Sequence, residues 1–324
     1  LPQRLPLWAG LSLLLAGLGA LAAFLYSTRV TTRRFRLEHL KVKTKSPLLT
    51  DKAGRANPDQ AMSPGASRTL RILHISDLHL QKGDDKKVEF IRAITDDDFD
   101  MVVLTGDIFQ FSDSFDYGPF LLSRQPRLGA YAVFGNHDYY DYSIVNKTIG
   151  RIFRKLRQPD IKKDLTPHRE ALAAGGFHVL VNESIYLPEA NIFIAGIDYP
   201  GIKYEELLAL VARAPQRPGL LKLCLFHLPW RLEQYAAAGF DMVFGGHTHG
   251  GQIRLPGFGA IITDSELHRS EASGLLRRGK TVFHISRGLG ADPRSNIRIF
   301  CPPAATVIEL TQSLVAVEAI ASTI

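Results

Sequence analysis

Six short apolar runs, each closing on an acid, an amide or an imidazole, limit what this chain can fold into more than any other feature. They are RILHISD (71–77), MVVLTGD (101–107), GAYAVFGN (129–136), NIFIAGID (191–198), LKLCLFH (221–227) and DMVFGGH (241–247). Runs of this length, rich in Val, Ile and Phe, read as buried strands. Stretches with helical spacing lie between several of them, such as Val88, Ile91 and Ile94, or Leu207, Leu208 and Val211. Strands interleaved with helices predict an α/β sandwich, with TVFHIS (281–286) and ATVIEL (305–310) as late strands of the same core. At 324 residues, 45% of them hydrophobic, the chain is long enough for one large domain.

Ahead of that core, Leu5 to Thr28 carries no charged side chain, and LWAGLSLLLAGLGALAAFLY is long enough to cross a hydrocarbon layer as a helix. Trp8 and Tyr26 stand near its ends, where amphipathic rings prefer the interface. Ala20-Leu21-Ala22 also fits a signal-peptidase site. The apolar run continues past it, however, and exceeds the roughly 7–15 residues of a signal core, so residues 1–28 read as a retained transmembrane anchor.

The formal charge of +7 is concentrated just after this span: residues 29–46 hold seven basic residues against Glu38 alone. Arg4 accounts for the remaining unit, and the chain from residue 47 onward is neutral. The excess therefore suits anionic lipid headgroups, whereas the folded domain lacks the basic stripe expected for a nucleic-acid partner, which leaves nucleic acid a minor alternative. Counting positive charges on the two sides of the span predicts a single-pass protein of the inner (cytoplasmic) membrane, with its C-terminal domain in the cytoplasm. Residues 29–69, with Pro47, Gly54, Pro58, Pro64 and Gly65, read as a basic juxtamembrane segment and linker, and 70–324 as the main folded domain. Cys224 and Cys301 are too few for a disulfide framework and read as reduced structural thiols.

The residues that end the runs carry the chemistry. Asp77 with His79, Asp107, Asn136 with His137 and Asp138, His227, and His247 with His249 all fall at or just past an apolar run. Ligands of open α/β sheets bind outside the carboxyl ends of the strands, so five separate segments would deliver these groups to one place. Singly, each has an ordinary explanation as a helix cap, a packed core histidine or a turn residue. Together, carboxylates, imidazoles and one amide without thiolates suit hard to borderline cations such as Mn²⁺, Fe or Zn²⁺.

DLH (77–79), GD (106–107), GNHD (135–138), His227 at a strand end and GGHTHGGQ (245–252) resemble, in order, the signature of the calcineurin-like metallophosphoesterases. The resemblance covers about residues 70 to 310. It implies a four-layer αββα sandwich preceded here by one transmembrane helix, and two divalent metal ions, Mn²⁺ first and Fe or Zn²⁺ as alternatives. Carried over, Asp77, His79, Asp107 and His249 would hold one metal, and Asp107, Asn136, His227 and His247 the other, with Asp107 bridging. His137 takes the family position that protonates or stabilises the leaving oxygen, and Asp138 would orient its ring. Phe226 precedes His227 where relatives commonly have Gly, which leaves the ligand type intact.

Two features bear on the substrate. In 139–164, Ile144, Val145, Ile149, Ile152, Phe153 and Leu156 recur at helical spacing among Lys147, Arg151, Arg154, Lys155 and Arg157, which predicts a basic amphipathic helix beside the metals. Arg287, Arg294 and Arg298 could offer guanidinium groups to a substrate phosphate. The layout is similar to the membrane-anchored branch of the family that includes the chlamydial-type UDP-2,3-diacylglucosamine pyrophosphatases. That resemblance implies hydrolysis of a phosphodiester or pyrophosphate in a lipid-linked substrate, in lipid A biosynthesis. A generic phosphodiesterase, a protein phosphatase and a membrane scaffold with structural metals are the alternatives.

Overall fold

The computed structural model describes residues 7–49, 67–143, 145, 153, 155, 159–291 and 296–317. Helix α1 (Leu7–Leu25) continues through a π turn at Tyr26–Val30 and a 3₁₀ turn at Thr31–Arg33. Its Leu11, Leu14, Leu15, Leu18, Leu21 and Phe24 are each more than half exposed. A leucine-rich helix left this exposed among the described residues is, by length and composition, a candidate membrane span.

The first sheet draws on β1 (Arg36–Leu49), β2 (Ser67–Ile75), β3 (Met101–Thr105) and β4 (Ala130–Val133). Helix α2 (Asp85–Thr95) connects β2 to β3, and the single turn α3 (Asn136–Tyr139) follows β4. A small ribbon, β5 (Tyr140–Asp141) with β6 (Ile161–Lys162), precedes helix α4 (Thr166–Ala174) and strand β7 (Phe177–Val179). The second half runs β8 (Glu183–Leu187), β9 (Ile192–Ile197), α5 (Tyr204–Val211), β10 (Leu221–Phe226), α6 (Leu232–Ala237) and β11 (Met242–Gly245). After a second ribbon, β12 (Arg254–Leu255) with β13 (Gly259–Ala260), come β14 (Gly274–Arg278), β15 (Thr281–Ile285) and β16 (Ala304–Val317).

These strands form two six-stranded sheets, ordered β1-β16-β2-β3-β4-β7 and β14-β15-β11-β10-β9-β8. Ile72, Val103, Val133 and Ile308 of the first pack against Ile194, Leu223, Leu225 and Phe244 of the second. On the outer faces, Val88, Ile91 and Ile94 of α2 cover the first sheet, and Leu207 and Leu210 of α5 cover the second. The result is four layers, helix on sheet on sheet on helix, as the motifs implied. Strands β2, β3 and β4 are parallel, as are β9, β10 and β11, so their carboxyl ends share an edge.

The linker reading of residues 29–69 is corrected at Arg36–Leu49, which pair in parallel along the whole of β16 and make β1 the edge of the first sheet. Val42 and Thr44 point into the core while Lys41 and Lys43 stay exposed, the period-2 pattern of a half-buried edge strand. The same register fixes where α1 meets the sheet. Arg36 pairs with Ala304, and Thr306 with His74 in antiparallel β2, so Ala304 stands level with Ser76, one residue before Asp77. The base of α1 is therefore on the same sheet edge as the DLH motif, two strand spacings or about 10 Å away.

Candidate metal centre

All seven donor side chains proposed from sequence meet at this edge, in two groups. Potential ligand atoms of Asp77, His79, Asp107 and His249 lie within 4.8 Å of one another, as do those of Asp107, His227 and His247. The Asn136 amide oxygen completes the second group, 3.2 Å from His227 Nε2 and 2.9 Å from His247 Nδ1. Asp107 belongs to both: its Oδ2 is 3.6 Å from His79 Nε2 and 3.3 Å from His227 Nε2.

Whether cations fit can be judged from the histidine rings. His227 Nδ1 lies 2.8 Å from the Thr105 carbonyl, His79 Nδ1 2.8 Å from the Gln110 side-chain oxygen and His249 Nδ1 3.2 Å from the Gly290 carbonyl. Oxygen acceptors demand N–H at those positions, leaving each Nε2 as the coordinating atom. His247 is reversed, with Nε2 3.1 Å from the Asp264 carbonyl and Nδ1 facing the cluster. As a result His79 Nε2 and His249 Nε2 face each other at 3.3 Å with lone pairs opposed. Such an arrangement is repulsive alone and favourable around a dication, so the donor set fits two metal ions.

The charge balance agrees. Burial raises the Asp77 carboxyl to about 7, with His227 opposing and the Asp107 charge adding to the rise. Burial also works against a charge on Asp107, but His227, His137 and His79 outweigh it and hold its carboxyl well below the usual range. For His227 the burial penalty is overcome by Asp107, which lifts the imidazole to about 9. A metal entering near pH 7 must therefore displace the His227 proton throughout, and the Asp77 proton as well below about 7. Apparent Mn²⁺ affinity should fall as pH drops from 8 to 6, by roughly tenfold per unit for each proton released and more steeply below 7. Calorimetric titrations in buffers of different ionisation enthalpy count those protons; an affinity flat across this range contradicts the assignment.

The local backbone is strained where it presents these groups. Asp77, His79, Asp107, His247 and His249 all adopt positive φ, between 43° and 71°. For residues with a Cβ this costs on the order of 1–3 kcal/mol each, and it turns consecutive donors toward one point. Gly246 makes room for them, since a Cβ there would lie 2.6 Å from Asp77 Oδ2 and collide with Ser76 Oγ. Gly246→Ala is expected to lower Tm by several degrees and to leave less than half of the normal metal content, both read on purified protein. Unchanged metal content would show that the loop yields freely.

His137 stays close without joining either group: its ring centroid is 4.8 Å from that of His79, and its backbone N–H donates to Asp107 Oδ1 at 2.7 Å. The reading of Asp138 as the group that orients the His137 ring is corrected. Its fully buried carboxylate accepts backbone N–H groups of Asp107 (2.8 Å), Ile108 (2.9 Å), Phe109 (3.4 Å) and Gly135 (2.8 Å). Four such donors occupy both oxygens, so Asp138 fixes the loop that carries Asp107. Arg298 and Arg287 are engaged by partners within the fold. Arg298 is buried and donates to the carbonyls of Gly290, Arg287 and Cys301, while Arg287 pairs with Glu38 at 2.7 Å. Arg294, and from the amphipathic segment Ile144, Lys147, Ile149, Arg151, Ile152, Arg154, Leu156 and Arg157, lie outside the described residues.

Sequence reading missed the second layer of support. Ser76 Oγ donates to Asp77 Oδ2 at 2.6 Å and receives Thr105 Oγ1 at 2.7 Å; Thr105 in turn contacts His74 Nε2 at 2.8 Å. His74 Nδ1 reaches His284 Nδ1 of the other sheet at 2.7 Å, and burial holds both imidazoles neutral. One polar chain thus ties the two sheets together behind Asp77. His74 and His284 sit inside apolar strands 210 residues apart, and nothing in either run signals the partner.

Comparison with known proteins follows the same lines. The family described as Calcineurin-like phosphoesterase matches residues 70–251. The UDP-2,3-diacylglucosamine pyrophosphatase LpxG of Chlamydia muridarum is 30% identical over 274 residues, which cover 72% of this chain and 81% of that one. An uncharacterized metallophosphoesterase of Bacillus subtilis, YkuE, is 28% identical, covering 74% of this chain and 79% of its own. The phosphodiesterase YaeI of Escherichia coli is 27% identical over 74% of this chain and 82% of its own.

Proposed function

The chain belongs to the calcineurin-like phosphoesterase family, and we propose that it hydrolyses a phosphodiester or pyrophosphate bond in a lipid-linked substrate at a membrane surface. Metal-dependent phosphoester hydrolysis is the reaction class of the family and agrees with the donor set. In this reading Asp77, His79, Asp107 and His249 hold one cation and Asp107, Asn136, His227 and His247 the other, with Mn²⁺ as the first candidate. When bound, the pair supplies Lewis-acid polarisation of the phosphoryl group and acidification of water. The chain's own residues do the rest. Asp138 and the strained backbone keep Asp107 between the two donor groups, so little reorganisation accompanies the reaction. In this reading His137, tethered through its backbone N–H to Asp107 and packed on His79, passes a proton to the leaving oxygen.

The observation that carries the lipid-linked reading is the entry of α1 on the same sheet edge as the donors. In this assignment residues 1–28 anchor the protein in the inner membrane, the basic residues after them keep the domain cytoplasmic, and the scissile bond is met at the headgroup level. The name of the chlamydial relative supports UDP-2,3-diacylglucosamine as the first substrate to test. Purified full-length protein with Mn²⁺ should turn over that compound at least about tenfold faster, as kcat/KM, than bis-p-nitrophenyl phosphate, a difference of about 1.4 kcal/mol. Turnover of the generic diester alone removes the lipid-linked substrate and leaves a plain phosphodiesterase. Phosphate release from phosphopeptides would point instead to a protein phosphatase.

A further inference from the structure

The edge where α1 enters also carries apolar side chains that the core does not use. Leu255, Phe258, Ile261 and Ile262, on and just after the β12–β13 ribbon, are 45%, 49%, 51% and 54% exposed. Trp230 and Phe300 join them at 43% and 70%. The backbone links this ribbon to the base of α1 in three hydrogen bonds: Arg298 N to the Ser27 carbonyl at 3.3 Å, Ile299 N to Gln252 O at 3.0 Å, and Arg254 N to Ile299 O at 3.0 Å. Large apolar groups gathered in one region of a folded domain mark a surface that meets something apolar. The charges nearby identify it: Arg29, Arg33 and Arg34 are exposed at the helix base, and the Arg269 guanidinium lies 4.1 Å over the Phe258 ring. Aromatic and aliphatic tips collared by arginine match the acyl–headgroup boundary of an anionic bilayer. The same surface adjoins the donor cluster. Trp230 and residues 261–266 line a cleft of about 510 Å³, and the Asp264 carbonyl in its wall is the acceptor for His247 Nε2.

We propose that the Arg254–Ala260 ribbon, with Trp230, Ile261, Ile262 and Phe300, dips into the acyl region of an anionic bilayer as a second membrane contact beside α1, opening the metal site onto the lipid. This rests on the reading of α1 as an anchor. Two contacts fix the tilt of the domain, which one helix cannot do, and let an amphiphilic substrate reach the donors with its chains still in the membrane.

Both native cysteines are buried, so a single introduced thiol can be labelled selectively. Leu15→Cys in α1, Leu255→Cys and Phe258→Cys in the ribbon, and Lys280→Cys at the amino end of β15, on the opposite sheet edge, each receive an environment-sensitive fluorophore. The full chain is placed in vesicles of phosphatidylglycerol and phosphatidylcholine containing lipid spin-labelled on the acyl chain. The proposal expects the labels at 15, 255 and 258 to lose at least half of their emission to the spin label, and the label at 280 to lose less than a tenth. Quenching at 15 with positions 255 and 258 behaving like 280 overturns the ribbon contact and leaves the anchor standing. Emission unaffected at 15 as well overturns both.

Discussion

Asp107→Asn is expected to purify with less than half of the wild-type metal content and to lose at least about 10³-fold in kcat, about 4 kcal/mol of transition-state stabilisation. The size of the effect follows from position. Asp107 Oδ2 lies 3.6 Å from His79 Nε2 and 3.3 Å from His227 Nε2, so one oxygen serves both donor groups. Oδ1 meanwhile accepts the His137 backbone N–H at 2.7 Å. The amide removes the charge that offsets two cations, and whichever way it is turned it sets an NH₂ against either a donor or a metal. Metal per chain by plasma mass spectrometry and steady-state turnover check it together. More than half of wild-type activity in the variant removes the bridging role.

His137→Ala should behave differently, losing roughly 10²–10³-fold in kcat while both metals stay bound. The ring packs on His79 and against Tyr142, whose centroid is 5.1 Å away, yet it sits in neither donor group. A proton donor is needed most when the leaving alkoxide is basic. The variant should therefore be slowed severely on an alkyl phosphodiester and least on a p-nitrophenyl ester, whose departing oxygen needs little help. Equal losses on both esters would assign His137 to positioning, and an empty metal site would reassign it as a ligand.

The parts of this molecule visible in its sequence are those under a single dominant constraint. Parallel strands buried on both faces have to be continuous apolar runs, so β2, β3, β4, β10 and β11 could be located within a few residues, and the donors follow directly from their carboxyl ends. Edge strands answer to two opposed demands. In β1 the inward Val42 and Thr44 alternate with exposed Lys41 and Lys43, and a charge count reads that alternation as a basic collar. Arg298 shows the limit for single residues. A guanidinium satisfied by the carbonyls of Gly290, Arg287 and Cys301 is buried because the backbone around it curls inward, and residue type alone favours solvent or a phosphate. Asp138 was recognised as part of the site, but its work on the Asp107 loop depends on backbone N–H groups from residues 107–109, whose direction only the fold supplies.

In the proposed function two cations share Asp107 at the carboxyl ends of strands from both sheets. Anomalous diffraction at the manganese edge, from crystals of the full-length protein grown with Mn²⁺, tests it most directly. Two peaks about 3.5–4 Å apart are predicted, one near His79 and His249 and the other near His227 and His247, with the Asp107 carboxylate between them. A single peak, or peaks remote from Asp107, would contradict it.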